Sequence, residues 1–185
     1  MITYGVSIND SELQQILDLQ ARNLSQNISP EESSSQGFVT VHHDFGLLKR
    51  MNSPYPHIVA RDGNKIAGYA LVMLRSFQTE IPVLFEMFRQ IDATVHHGQK
   101  LGEAKYFIMG QVCVDKPYRG KGVFAGLYQE MARRMSPHFA YIITEVARSN
   151  PRSMRAHEKV GFEKIHNYVD GEHWEVLLLD IGQNR

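Results

Sequence analysis

The sequence has little of several features that mark particular classes of protein. One cysteine in 185 residues excludes an internal disulfide bond. Lys and Arg together equal Asp and Glu together, at 20 each, so the chain lacks the basic excess of a nucleic-acid-binding protein. No apolar run approaches the roughly 18 residues of a membrane-spanning helix, and the N-terminus has no basic start followed by an apolar stretch. These absences predict a cytoplasmic protein whose partners are neither nucleic acids nor membranes.

The pattern of ligating residues disfavours metal and thiol chemistry. His42–His43 and His96–His97 are adjacent pairs, and adjacent side chains point apart on a helix or a strand. No cluster with ligand spacing accompanies them, so no metal site is predicted. Cys113 falls within a predicted central strand, where a small buried thiol is expected rather than a nucleophile.

The length and composition are typical of one globular domain, spanning residues 1–185. Hydrophobic residues make up 43% of the chain and charged residues 22%. Strand and helix patterns along the chain predict an α/β (α+β) fold, with one mixed sheet of about seven strands and four or five helices. The first helix has candidate caps at Asn9–Ser11, with Ser11 and Gln14 in capping-box spacing, and is expected to end near Asn27.

Residues 108–135 have the pattern of a strand, a glycine-rich turn and a helix. Apolar and small residues predominate at positions 109–114, and Pro117 ends the strand. Gly120 and Gly122 allow the backbone to turn sharply and leave several amide N–H groups for a ligand. The apolar residues that follow have helical spacing, and a helix N-terminus attracts anions, so the turn is a predicted anion site. Glycine can also serve there for backbone geometry alone, and the pattern by itself leaves both interpretations open.

A second stretch, TEVARSNPRSMRAHEKVGF at residues 144–162, has a strand ending in Glu-Val, an Asn that opens a helix, and a closing Gly-Phe pair. Together the two stretches resemble the GNAT superfamily of N-acetyltransferases. The cofactor motif of that family is Arg or Gln, two residues, Gly, one residue, and Gly or Ala. The matching run starts at Arg119, and Phe124 departs from the pattern at its last position. The resemblance covers most of the chain and implies a mostly antiparallel GNAT sheet, with acetyl-CoA as the acetyl donor.

The resemblance also implies how acetyl-CoA binds. The pantetheine arm would lie along the strand at residues 111–114, and the N–H of Val114 would polarise the thioester carbonyl. The pyrophosphate would bind the backbone amides of the glycine turn, with positive charge added by Arg119 and Lys121. A plain helix N-cap would explain Asn150 as well, and a solvated loop edge would explain the two cations. The implied cofactor-binding residues are Val112, Val114, Arg119, Gly120, Lys121, Gly122, Val123, Phe124, Ala125, Asn150, Arg152 and Ser153.

Two side chains are candidates for the proton transfers of an acetyltransferase. Glu145 lies where the similar ribosomal-protein alanine acetyltransferases have a glutamate that resembles a base. His157 lies where the family most often has a tyrosine that protonates the departing thiolate, and imidazole titrates nearer to neutral pH than a phenol does. The structural alternatives are an ion pair of Glu145 with Arg148 or Arg155, and packing of His157 on a buried helix face. The resemblance therefore implies Glu145, His157 and the Val114 amide as the catalytic groups.

The implied activity is transfer of an acetyl group from acetyl-CoA to a primary amine by direct attack. A small-molecule amine, a peptide N-terminus and a lysine side chain all stay open as acceptors, for a monomer or a homodimer. The alternative from another class is an acyl-CoA-binding module without turnover.

Two connecting segments are candidates for the acceptor site. The polar, serine-rich segment Ser29–Gly37 is either a mobile loop or, as the loop between the first two helices of the family implies, a lid. The long connection Arg75–Ala104 contains a predicted helix from about Val83 to Ala93, and either shapes the acceptor pocket or covers a sheet edge.

Overall fold

The computed structural model describes residues 1–29, 31, 38–39 and 41–182 of the chain. Seven of its strands form one mixed sheet, and two short strands form a separate hairpin. The strands are β1 Ile2–Val6, β2 Ile58–Asp62, β3 Lys65–Met73, β4 Val95–His96, β5 Gln99–Lys100, β6 Tyr106–Val114, β7 Tyr141–Ala147, β8 Glu163–Asp170 and β9 Glu172–Asp180. The order across the larger sheet is β1-β2-β3-β6-β7-β9-β8.

Five α-helices lie in these described ranges. They are α1 Asp10–Asn23, α2 Phe45–Met51, α3 Phe85–Ala93, α4 Val123–Met135 and α5 Pro151–Lys159. β6 and β7 run parallel, whereas β1 with β2, β2 with β3, β7 with β9 and β8 with β9 run antiparallel. The predicted fold class, a mixed and mostly antiparallel sheet of about seven strands with four or five helices, is confirmed.

The chain divides into two compact units. One comprises Met1–Val72 and Met109–Arg133, and the other comprises Met73–Ile108 and Arg134–Arg185. The first holds α1, α2 and the glycine turn that precedes α4. The second holds α3, β7, α5, β8 and β9. A single domain over the whole chain stays a prediction.

The core of the first unit forms where α1 packs on the strands of that unit. Leu13, Ile16 and Leu17 recur at three- and four-residue spacing on α1, and all three are buried together with Val59 and Leu71 of β2 and β3. Burying each of these side chains stabilises the fold by about 2 kcal/mol relative to leaving it in water.

The start of α1 uses one of the candidate caps at Asn9–Ser11. Asn9, rather than Ser11, is the N-cap, and its Oδ1 accepts a hydrogen bond of 2.9 Å from the Glu12 N–H. Glu12 in turn accepts from the Ile8 N–H at 2.8 Å and pairs with Arg61 of β2 at 2.5 Å. This pairing with a neighbouring strand explains why the helix begins two residues earlier than Ser11 would allow. The helix ends at Asn23, and a short 3-10 turn at Ser25–Asn27 follows it.

In the second unit, β9 lies between β7 and β8. Glu145 of β7 is opposite Val176 of β9, and Tyr168 of β8 is opposite Trp174. Val176 and Trp174 are two residues apart on one strand, so all four side chains lie on the same face of the sheet.

The two connecting segments stay hypotheses for the acceptor site. Ser29–Gly37 lies outside the described residues, except for Ser29 and Glu31. Arg75–Ala104 contains α3 and the β4–β5 hairpin. In the part of the chain that the structure describes, no helix is long and apolar enough to span a bilayer.

Candidate functional site

The glycine turn has the backbone geometry that its sequence predicts. β6 ends at Val114, a 3-10 turn follows at Lys116–Tyr118, and α4 begins at Val123. Between them, Gly120 has a φ of 73° and Gly122 a φ of 77°. A Cβ added at either glycine would meet no atom within 4 Å. The left-handed backbone therefore strongly favours glycine there, and the space beside both residues is open.

The start of α4 presents backbone donors next to that open space. The helix closes its first hydrogen bond from the Gly126 N–H to the Gly122 carbonyl, at 3.0 Å. The N–H groups of Val123 and Ala125 belong to the first turn, which has no acceptor within the helix. The helix dipole adds partial positive charge at this end, and the exposed Lys121 side chain adds a full charge. The arrangement suits a phosphate-bearing ligand.

Phe124 is the residue that departs from the family motif. Its ring lies 5.1 Å from the ring of Tyr128, one helical turn along α4. The side chain therefore packs along the helix, while its amide stays in the first turn.

Arg119 links the turn to the rest of the first unit. Its Nε donates to the Val114 carbonyl at 3.1 Å, and its Nη2 donates to Oδ1 of Asn23 at 2.5 Å. These bonds join the end of β6 to the end of α1 and hold the turn in place. Contact of Arg119 with a pyrophosphate stays a prediction.

β6 alternates between two environments along its second half. Val112 and Val114 are half-buried on one face, and Gln111 and Cys113 are buried on the other. Burial raises the pKa of the Cys113 thiol to about 12. The thiol is protonated at neutral pH, as expected of a structural cysteine rather than a nucleophile.

A buried polar network beneath β6 was not predicted from the sequence. Gln111 Oε1 accepts from Tyr69 Oη at 2.6 Å and from Gln20 Nε2 at 2.5 Å, and Gln111 Nε2 donates to the Val41 carbonyl at 2.8 Å. Gln20 Oε1 also accepts from the His43 N–H at 2.8 Å. The network ties the strand to α1 and to the segment before α2. A glutamine inside an otherwise apolar strand is the sequence signal, because a buried amide requires partners.

In the second unit, Glu145 has an environment suited to a base. Tyr168 Oη donates a hydrogen bond of 2.5 Å to Glu145 Oε2. Burial raises the pKa of Glu145 to about 7, the hydrogen bond from Tyr168 opposes this rise, and the charges of Asp170 and Glu172 add to it. Arg148, a candidate partner from the sequence, instead pairs with Glu175, at 3.5 Å between Nε and Oε1. Glu145 can therefore exchange a proton near neutral pH.

His157 has a different environment, which disfavours it as a proton donor. Its Nδ1 donates to the Ser153 carbonyl at 2.8 Å, and its ring meets the Phe162 ring edge-on at 5.1 Å. Burial lowers the pKa of His157 to about 4, so the imidazole is neutral at pH 7. The remaining ring proton is held by the helix carbonyl one turn earlier. Its catalytic role stays a prediction, and packing inside the second unit explains the residue without one.

The other predicted residues of this unit lie at the start of α5. Asn150 is the buried N-cap, and its Oδ1 accepts from the Ser153 N–H at 3.1 Å. Arg152 is exposed. Contact of Asn150, Arg152 and Ser153 with CoA stays a prediction. Across residues 1–29, 31, 38–39 and 41–182, no group of three or more His, Cys, Asp or Glu side chains is arranged to hold a metal ion.

Comparison with known proteins agrees with this geometry. The model of the acetyltransferase (GNAT) family matches residues 13–162. No curated protein matches the sequence. Among solved structures, the ribosomal-protein-S18-alanine N-acetyltransferase of Escherichia coli aligns over 100% of this chain and 99% of its own, with 14% identity and a TM-score of 0.64.

Two further solved structures share the fold. Ard1 of Thermoplasma volcanium covers 97% of both chains at 12% identity, with a TM-score of 0.63. YncA of Salmonella typhimurium, solved with its cofactor acetyl-CoA, covers 99% of this chain and 95% of its own at 13% identity, with a TM-score of 0.61. At these identities the structures show a common fold. With the family model matching residues 13–162, the chain belongs to the acetyltransferase (GNAT) family.

Proposed function

We propose that the protein transfers an acetyl group from acetyl-CoA to a primary amine. The observation that carries this proposal is the turn before α4, where Gly120 and Gly122 are both left-handed beside open space, within the stretch that matches the family. An acyl-CoA-binding module without turnover would use the same turn, so the two functions differ in chemistry and not in binding.

The residues of the turn fit the phosphate groups of acetyl-CoA. A ligand can approach the backbone closely at both glycines, because no side chain fills the space. The first-turn amides of α4 would donate to the pyrophosphate, and Lys121 would add charge beside it. When bound, acetyl-CoA supplies an activated thioester, and the Val114 N–H is the proposed donor to its carbonyl oxygen.

Glu145 is the proposed base. An amine is protonated near neutral pH and must lose a proton before it can attack a carbonyl carbon. A carboxyl group with a pKa of about 7 is ionised in part of the molecules at that pH and binds a proton readily. We propose that Glu145 takes this proton, directly or through a water molecule. The acceptor is a small-molecule amine, a peptide N-terminus or a lysine side chain, and the similarity to the ribosomal-protein acetyltransferase of Escherichia coli supports a protein acceptor.

Replacing Gly122 with Val tests the cofactor site. A β-branched residue is strained at a φ of 77° and places methyl groups in the space proposed for phosphate. Acetyl-CoA affinity, measured by calorimetry, should fall by about tenfold to a hundredfold. Gly63→Val is the matched control, because Gly63 has a φ of 58°, with no atom within 4 Å of an added Cβ, in the β2–β3 turn. Wild-type affinity in a folded Gly122→Val protein would place the site elsewhere.

Release of free CoA thiol distinguishes an acetyltransferase from an acyl-CoA-binding module without turnover. The wild-type protein is mixed with acetyl-CoA and a panel of small amines, free amino acids and peptides with different N-termini. Thiol release that depends on one class of amine supports the proposed function. Tight acetyl-CoA binding without release across the whole panel would favour the binding module.

A further inference from the structure

We propose that Tyr168 is a positioning residue, whose hydroxyl holds Oε2 of Glu145 so that Oε1 is the atom that receives the proton of the acceptor amine. The inference rests on the proposed function, in which Glu145 is the base. Tyr168 is part of neither sequence stretch that carries the family resemblance.

The register of the second unit brings the two side chains together across an intervening strand. Glu145 is opposite Val176 and Tyr168 is opposite Trp174, two residues further back on β9. β7 and β8 are therefore separated by two strand spacings, or about 10 Å. A tyrosine on the same face is long enough to reach diagonally over Val176, and its Oη lies 2.5 Å from Glu145 Oε2.

Neighbouring groups hold the Tyr168 ring in this orientation. The His166 ring stacks on it with centroids 6.5 Å apart and an interplanar angle of 16°. His166 Nε2 in turn hydrogen-bonds Oε1 of Gln90 in α3 at 2.9 Å. The His166 ring on the same strand thus holds the phenol, and the hydrogen bond to Gln90 of α3 holds His166.

The phenol can act only as a hydrogen-bond donor to Glu145. Burial and the adjacent Glu145 carboxylate raise the pKa of Tyr168 above its ordinary value of 10.0, so the hydroxyl keeps its proton at any working pH. In the part of the chain that the structure describes, the hydrogen bond to the Glu145 carboxylate comes from Tyr168 and falls on Oε2. An ionised carboxylate accepts at both oxygens, so Oε1 is the oxygen open to an incoming proton.

The charges around the pair oppose ionisation of Glu145. Asp170 of β8 and Glu172 of β9 raise the pKa of Glu145, and Glu86 of α3 raises the pKa of Tyr168. Glu86 is itself paired with Arg89 at 2.5 Å. The Tyr168 hydrogen bond is the interaction that favours the ionised form of Glu145, because a donated hydrogen bond stabilises a carboxylate.

The Tyr168→Phe variant removes this donor with little change in shape. In the full-length protein labelled with ¹³C-glutamate, the Glu145 carboxyl signal, assigned by its absence in Glu145→Gln, should titrate about one pH unit higher than in the wild type. With an active amine, the acidic limb of the kcat/KM profile should move up by the same amount, while the acetyl-CoA affinity is unchanged. If Tyr168→Phe fails to fold, Tyr168→Met, which also lacks a donor, is read in the same way.

Tyr106→Phe is the matched control within the same unit. Tyr106 Oη donates to Asp92 Oδ1 at 2.6 Å, a bond of the same type at a carboxylate with no proposed role in proton transfer. This control should leave both the Glu145 titration and the pH profile where they are in the wild type. An unchanged Glu145 titration in folded Tyr168→Phe would overturn the inference.

Failure of the proposed function would look different. In that case the wild-type protein would release no thiol with any amine, or Glu145→Gln would turn over as fast as wild type. The carboxyl titration needs no substrate, so it reports on Tyr168 independently of both results.

Discussion

Glu145→Gln should lower turnover by about a hundredfold to ten-thousandfold, the range for removal of a general base. The amide has nearly the shape of the carboxyl group but cannot take a proton from the amine. Acetyl-CoA affinity should stay within about twofold of wild type, because the change removes a proton acceptor and no proposed CoA contact. Turnover is followed by thiol release, and affinity by calorimetry. Turnover at the wild-type rate would mean that positioning of the amine alone supports the reaction.

The same substitution should stabilise the protein above pH 7. The pKa of Glu145 is about 7 in the folded protein against an ordinary value of 4.5, so the folded state binds more protons than the unfolded state between these values. Stability is therefore lost as the pH rises from about 4.5 to about 7, by at most about 3 kcal/mol, and glutamine avoids this loss. The free energy of unfolding at pH 8, measured in urea, should be higher for Glu145→Gln than for wild type.

Glu175→Gln is the matched control for both measurements. Glu175 is also a buried carboxylate of the second unit, but it pairs with Lys164 at 2.6 Å and with Arg148 at 3.5 Å. Its replacement should destabilise the protein modestly, because two ion pairs with the exposed Lys164 and Arg148 side chains are lost, and should leave turnover intact. A more stable protein with less activity for Glu145→Gln, and a less stable protein with wild-type activity for Glu175→Gln, would separate a base from a structural carboxylate.

Acidification from pH 6.5 towards pH 4 should strongly destabilise the protein. Burial lowers the pKa of His43, His57 and His157 to about 4 each, against an ordinary value of 6.5. The unfolded chain therefore takes up protons first as the pH falls. The stability that these neutral rings contribute is complete above pH 6.5 and is lost as the pH falls towards 4, by at most about 3 kcal/mol for each ring.

Hydrogen bonds give a second reason for the acid sensitivity. Nδ1 of His57 accepts from the Val72 N–H at 3.1 Å, while its Nε2 donates to the Leu48 carbonyl at 3.1 Å. Nδ1 of His43 lies 3.0 Å from Gln20 Nε2, a donor. Protonation of either Nδ1 would replace an acceptor with a second donor and break the bond.

The measurement is the free energy of unfolding in urea at pH 7.5, 6.0, 5.0 and 4.0. Glu145 acts in the opposite sense over part of this range, so the net loss should be roughly 6 kcal/mol by pH 4, comparable to the roughly 5–15 kcal/mol total stability of a typical domain. As a control, the slope of the unfolding free energy against urea concentration should be the same at each pH, because this slope scales with the surface exposed on unfolding. A free energy that stays level from pH 7.5 to pH 5.0 would show that the three rings are not held neutral.

Features encoded by neighbouring residues could be predicted from the sequence alone. The strand, turn and helix at residues 108–135 follow from apolar spacing and from glycines at the two positions where the backbone is left-handed. The same holds for the N-cap at Asn150, since a cap bonds an amide three residues away. Such features depend on dihedral preferences and on hydrogen bonds within one helical turn, which the order of residues specifies directly.

Choices between equivalent local signals needed the tertiary structure. Asn9 and Ser11 both suit a helix cap, and Asn9 is used because Glu12 then reaches the Ile8 amide and Arg61, which is 49 residues away. Gln111 could be recognised as polar within a strand. Its partner Gln20, 91 residues earlier, could not be identified from the sequence.

The chemistry of the candidate base was decided only by the fold. The sequence placed Glu145 at the end of a strand and offered Arg148 as a partner, which would have kept its pKa low. The order of β7, β9 and β8 instead brings Tyr168 to the Glu145 carboxylate. Burial of that carboxylate raises the pKa of Glu145 to about 7. Residue types are fixed by the sequence, but burial and the identity of distant neighbours set a proton affinity, and both arise only when the strands assemble.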